Sequence, residues 1–132
     1  MYNEKVLKIF QNPKNVGTVK DANGVGKVGN MKCGDVMKIS IHVDKNGVIT
    51  DAKFKTYGCV SAIASTDVAC DMIKGKTIDQ ALKVTNADVL KELGGLPEQK
   101  IHCSVLAQET IDAAIKDYKK NGTGTTTKAK KN

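Results

Sequence analysis

The chain has 132 residues, 40% of them apolar, which suffices for one domain with a core of its own and no disulfide or metal staple. Aromatic residues make up only 4% and tryptophan is absent, so that core must be built mainly from Val, Ile, Leu and Ala. The net charge of +7 comes from lysine alone: the 21 basic residues include no arginine, and without the planar guanidinium fork specific nucleic-acid recognition is disfavoured. Three of the lysines (Lys128, Lys130, Lys131) sit in a polar tail, and most others alternate with apolar residues as solvated faces do. Such a basic face could still steer an acidic protein partner. No apolar run approaches the roughly 20 residues that span a bilayer. The first ten residues, MYNEKVLKIF, carry Glu4 and two lysines with no signal-peptide hydrophobic region, so the expected location is the cytoplasm.

Taken in chain order, Asn3 to about Gln11 places Val6, Leu7 and Phe10 on a short amphipathic helix that stops before Asn12-Pro13. The glycine-rich stretch with Gly17, Gly24, Gly26 and Gly29 reads as loop plus a short irregular strand. Ile39, Ile41 and Val43 alternate with Ser40 and His42, the period of a half-buried strand. Asp44-Lys45-Asn46-Gly47 supplies a turn. A second strand runs from about Val48 to Thr56 with Ala52, Phe54 and Thr56 on one face. Ser61 then offers an N-cap for a helix through Ala64, Val68, Met72 and Ile73 that ends near Gly75. Thr77-Ile78-Asp79-Gln80 reads as a capping box opening a helix to about Val84. A short helix covers roughly Ala87 to Leu93 and stops at Gly94-Gly95. The last helix runs from about Ser104 to Lys119 with Leu106, Ile111, Ala114, Ile115 and Tyr118 inward. The predicted fold is α+β: a small antiparallel sheet of about three strands, helices packed on one face, and a long C-terminal helix. One domain occupies residues 1–121, and residues 122–132 form a disordered basic tail.

Four cysteines in a cytoplasmic chain point to metal binding or thiol reactivity more than to disulfides, and no CxxC pair is present. Cys33 and Asp35 stand two apart just before a strand, where extended backbone puts both side chains on one side about 7 Å apart. Cys59 follows Gly58 at a strand–helix junction. Cys103 follows His102 at the start of the last helix, where backbone N–H groups and the helix dipole favour a thiolate. Each has an ordinary reading as well: a single Cys usually packs in a core, Asp35 alone suits a turn, and His102 alone suits a cap. Cys70 takes that ordinary reading, at an apolar-periodic position of its helix. Together the other three cysteines with Asp35 and His102 make a ligand set of mixed softness. Three thiolates with a His suit structural zinc, whereas a carboxylate holds a cluster iron less tightly than thiolate and suggests a metal meant to leave.

The stretches NPKNVG at 12–17, KCGDVMKI at 32–39, TYGC and SAIAS within 56–65, GK at 75–76 and KIHCSVLAQETIDAAI at 100–115 resemble the IscU/NifU family of iron–sulfur cluster assembly scaffolds, from Tyr2 to about Asn121. The chain shows no obvious general base or substrate pocket, so no enzyme is expected; the resemblance implies a scaffold on which a labile 2Fe–2S cluster is built from iron and persulfide sulfur and then transferred to acceptor or carrier proteins. It implies a cysteine desulfurase as sulfur donor and an electron donor such as ferredoxin. It also implies Cys33, Cys59 and Cys103 as ligands with Asp35 and His102 beside them, and zinc in the same site in isolated protein; Cys103 is the expected persulfide acceptor, because thiolate character at a helix start favours the exchange. Cys59 and Cys103 lie 44 positions apart with no surplus segment, and His102 is present, which favours the IscU type over the zinc-dependent SufU type. The alternative is a zinc-bound persulfide relay of the SufU kind. Three departures stand out: Val60 replaces the family's glycine after the second cysteine, Cys70 has no family role, and Leu96-Pro97-Glu98-Gln99-Lys100 replaces Leu-Pro-Pro-Val-Lys, which weighs against a dedicated Hsp70-type chaperone. No nucleic acid or membrane partner is expected, and the functional unit is a monomer or dimer. Cys103 is expected on a mobile loop.

Overall fold

A computed structural model describes residues 2–30 and 35–122; Cys33 and the tail from residue 123 onward lie outside the described residues, as do the side chains of Asn30, Asp35, Asn121 and Gly122. The chain opens with helix α1 (Glu4–Gln11), whose N-cap Asn3 accepts a hydrogen bond from the Val6 amide. Strands β1 (Gly24–Asn30), β2 (Asp35–Val43) and β3 (Ile49–Tyr57) follow, then helices α2 (Val60–Ile73), α3 (Ile78–Leu82), α4 (Asn86–Leu93) and α5 (His102–Asp117). A single 3-10 turn, Glu98–Lys100, leads into α5, and a terminal turn, Tyr118–Gly122, leaves it.

The three strands form an antiparallel meander in the order β1-β2-β3. The β2–β3 turn is made as its residues require: the Asp44 carboxylate accepts from the amides of Asn46 and Val48 at 2.8 and 3.0 Å, and Gly47 takes φ 79°. Period-two alternation then sorts the sheet. Ile39, Ile41, Ala52 and Phe54 point inward and are buried, and α2 and α5 cover them. The capping box at Thr77 is complete, and a second one at Thr85 opens α4. Helix α4 closes on Gly94 in the left-handed region at φ 77°, with the Gly95 amide returning to the Leu90 carbonyl.

Three differences from the sequence-based expectation have physical causes. Helix α2 starts at Val60 with Cys59 as N-cap, because the Ser61 hydroxyl is buried and donates to the Tyr2 phenol oxygen at 3.1 Å instead of capping the helix. Of the apolar residues of α1, Val6 is buried, but Leu7 and Phe10 stay 39% and 37% exposed, so the apolar face is wider than its seat on α2. Helix α5 begins at His102, two residues earlier than expected, which draws His102 and Cys103 into its first turn.

Candidate metal centre

The end of the sheet from which β3 exits is where the candidate residues gather. Antiparallel pairing sets Val36, the second residue of β2, opposite Tyr57, the last of β3. The backbone of Asp35 therefore begins β2 at the edge where Gly58 and Cys59 leave β3 for α2. Cys33 precedes Asp35 by two residues in sequence and lies outside the described residues, as does the Asp35 side chain.

Helices α2 and α5 pack together on one face of the sheet and bring their first residues to a common point. There the Cys59 and Cys103 sulfurs lie 3.8 Å apart, and Nε2 of His102 is 3.7 Å from the Cys103 sulfur. A disulfide would hold the sulfurs at about 2.05 Å, so these are two thiols in contact. Two thiolates bound to one tetrahedral ion at about 2.3 Å stand roughly 3.8 Å apart, and the observed spacing fits that donor geometry without adjustment. Among the described residues, no group of three His, Cys, Asp or Glu side chains is gathered closely enough to hold a metal ion. The pair formed by Cys59 and Cys103, with His102 at its rim, is thus the described part of the candidate set.

Exposure differs across the site. Cys59 and His102 are half-buried, while Cys103 is fully buried. The expectation of Cys103 on a mobile loop is corrected: it sits in the first turn of α5, sealed by the core beneath it. The segment 94–101 that leads to it is tied down from a distance. The Asn3 side-chain amide donates to the carbonyls of Leu93, Gly94 and Gly95 at 3.0, 3.2 and 3.3 Å, so one residue caps α1 and clamps the exit of α4. Sequence reasoning missed this clamp because its two ends are 90 residues apart.

Cys70 is fully buried in α2, in the core place expected of it, and burial pushes its thiol up, away from thiolate chemistry. A second feature that sequence reasoning missed is Asp67, only 1% exposed, whose Oδ1 accepts from the amides of Lys14 and Asn15 at 3.0 and 2.8 Å and from the Asn15 side chain at 3.0 Å. It anchors the NPKNVG segment to α2, the helix that Cys59 N-caps. No helix among the described residues is long and apolar enough to cross a membrane.

Comparison with known proteins agrees with this architecture. The family model for the NifU-like N terminal domain matches residues 1–124. An Aquifex aeolicus protein named iron–sulfur cluster assembly scaffold protein IscU is 57% identical over 118 residues, covering 89% of this chain and 75% of that one. An Escherichia coli protein of the same name is 52% identical over 121 residues, covering 89% and 94%. Among solved structures, one described as a SUF-system iron–sulfur cluster assembly scaffold from Fervidobacterium islandicum AW-1 superposes with a TM-score of 0.69 at 27% identity, over 86% of this chain and 96% of that one.

Proposed function

We propose that this chain, which belongs to the NifU-like N-terminal domain family, is a scaffold on which a labile 2Fe–2S cluster is assembled and from which it passes to acceptor or carrier proteins. The observation that carries the reading is the sulfur pair Cys59–Cys103 at 3.8 Å, joined from two helix starts and flanked by His102. Cys33 and Asp35, two positions apart in sequence with Asp35 opening β2, complete the proposed ligand set. The cluster is cargo, so a site rimmed by mixed ligands at a sheet edge suits it: thiolates hold iron, and a carboxylate oxygen holds it less firmly and eases release.

Assembly on this chain follows from the chemistry of its thiols. The Cys103 thiolate attacks the outer sulfur of a persulfide on a cysteine desulfurase, the donor cysteine leaves as thiolate, and Cys103 carries the persulfide. Two electrons from an external donor of the ferredoxin kind then cleave the S–S bond, giving sulfide and regenerating the Cys103 thiolate. Because Cys103 is buried, sulfur uptake requires the 94–101 segment to open, while half-exposed Cys59 waits at contact distance to share what is delivered. The chain acts as carrier in this scheme, in the cytoplasm, and supplies no general base.

The spacing of two thiolates on a tetrahedral ion also favours a second reading, a zinc-bound persulfide relay. Reconstitution with iron, cysteine and desulfurase separates the two, since a cluster absorbs visible light and zinc does not. In the same assay Cys103→Ser is expected to abolish sulfur uptake from the desulfurase, read by mass as loss of the added sulfur. Uptake at the parental rate would remove Cys103 from the mechanism.

A further inference from the structure

The outer face of the sheet, opposite the helices, carries a feature that cluster assembly itself does not use. Strand register sets Lys27 of β1 directly opposite Lys38 of β2, and Lys38 directly opposite Lys55 of β3. Three ammonium groups are thus lined up across all three strands. Lys27 and Lys55 are exposed and Lys38 half-buried. Among the described residues none of the three lies within ion-pair distance of a carboxylate. Like charges directly opposite on a sheet destabilise it. Among the described residues no carboxylate pairs with this row to offset that cost.

The surroundings define the shape of this surface. At its far end the chain covers the sheet, where the Val19 amide donates to the buried Ser40 hydroxyl at 2.9 Å. Toward the candidate metal centre the next row pairs half-buried Val36 with Tyr57, a residue 73% exposed that lies two positions before Cys59. The result is a strip with a cationic line and one exposed aromatic, running toward the candidate site.

We propose that Lys27, Lys38 and Lys55, with Tyr57 beside them, dock an acidic helix of a partner protein and bring that partner to the metal centre. Strands about 4.8 Å apart place the three lysines along roughly 10 Å. Carboxylates at i, i+4 and i+7 of a helix span about the same length, so the two charge lines match in spacing as well as sign. A second copy of this chain would set lysine against lysine. Nucleic acid is the weaker match: the chain has no arginine, and the strip offers one aromatic ring where base stacking needs a track of them. Tyr57 supplies the apolar anchor that a protein interface needs beside its charges. The proposal rests on the scaffold reading for its purpose, since the partner would give or take what the site holds, but its binding test does not depend on a cluster.

The test uses the full apo chain and a labelled alanine-based helical peptide bearing one stripe of glutamates, followed by fluorescence anisotropy at low salt. The triple variant K27Q/K38Q/K55Q should bind about tenfold more weakly, the combined loss of three exposed ion pairs, and the difference should shrink as salt screens it. The triple variant K45Q/K83Q/K91Q removes the same charge elsewhere and should bind as the parent does. Tyr57→Ser should also weaken binding, and single Lys38→Gln serves if the triple variant melts early. Equal loss in both triple variants would reduce the effect to net charge and overturn the proposal. So would failure of the parent to bind the peptide, or an oligouridylate that binds more tightly than the peptide through the same lysines. Cluster formation by the row variant with a chemical reductant should match the parent; a parent that forms no cluster would sink the scaffold reading and leave the peptide result standing.

Discussion

Asp67 and Cys70 lie one turn apart on α2, and both are buried groups whose ionised form the surroundings oppose. For Asp67, burial pushes the carboxyl above its ordinary range and outweighs the hydrogen bonds from Asn15 and the Lys14 amide. The folded protein therefore holds that proton more tightly than the unfolded chain does. The linked stability is fully present below the ordinary carboxylate range, near pH 4, and is lost as pH rises through the raised folded value. Neighbouring Asp71 runs the other way: despite partial burial, hydrogen bonds from Asn15 and Lys14 hold it low. Substitution of Asp67 alone keeps Asp71 in both proteins being compared. Asp67→Asn retains the Oδ1 acceptor but not the titration, so its stability relative to the parent should improve as pH rises from about 4 and then level off. Asp67→Leu removes the acceptor from two main-chain amides and the Asn15 side chain, and should cost about 3 kcal/mol or more at neutral pH. Urea unfolding of both variants across this range checks the pair, and a parent-to-Asn gap that stays constant with pH would refute the assignment. At this scale the sequence was uneven as a guide. Cys70 sits at an apolar-periodic position and was readable as core. Asp67 stands in the same helix with no local mark, and its role exists only because residues 14 and 15 fold onto it.

Among the elements, β1 shows most plainly what local pattern cannot convey. Its glycines read as a loop with a short irregular strand, yet β1 is a seven-residue strand pressed against α5. A Cβ on Gly26 would meet the Ala114 nitrogen at 2.4 Å and the Thr110 carbonyl oxygen at 2.5 Å, both fixed backbone. Glycine is there because helix and strand approach backbone to backbone, not because a turn is needed. Gly26→Ala should therefore cost about 3 kcal/mol in urea unfolding, toward the upper end of overpacking losses, while Lys27→Gln next to it on the outer face should cost nothing. An alanine variant as stable as the parent would show that α5 can withdraw at no cost. By contrast β2, β3 and the capping box at Thr77 were legible in advance, since alternation, Asp44–Gly47 turn chemistry and caps are encoded within a few residues. The start of α5 was misplaced for the opposite reason: no side chain caps it at Ile101, so no residue marked its first turn.

For the whole molecule the decisive question is whether the metal centre holds the fold together or the fold holds the centre. The core runs continuously from Val6 through Met37, Ile39, Ile41 and Phe54 to Ile73, Leu93, Ile111 and Ile115, all of them essentially shut from solvent. Of the described candidate ligands only Cys103 belongs to this core, and the site lies at one end of the sheet, where α2 and α5 begin. The links that fix that end are protein–protein: Asn3 to the carbonyls of Leu93, Gly94 and Gly95, Ser61 to Tyr2, and Asn15 to Asp67. The sequence could name the cysteines and the histidine but not this arrangement, because the distance between Cys59 and Cys103 is a product of helix packing across 44 residues. A domain of this size can bury enough surface to stand without a metal, unlike a zinc finger, whose binding energy is its folding energy. Bound metal should therefore add stability only by mass action on an already folded chain. Treatment with a strong chelator under reducing conditions should leave the helical circular dichroism and a cooperative urea transition intact, with the midpoint lowered and restored by added zinc. Collapse to an unfolded chain on chelation would instead make the centre a structural element, with its sulfurs committed to a permanent ion and unable to receive or release cargo.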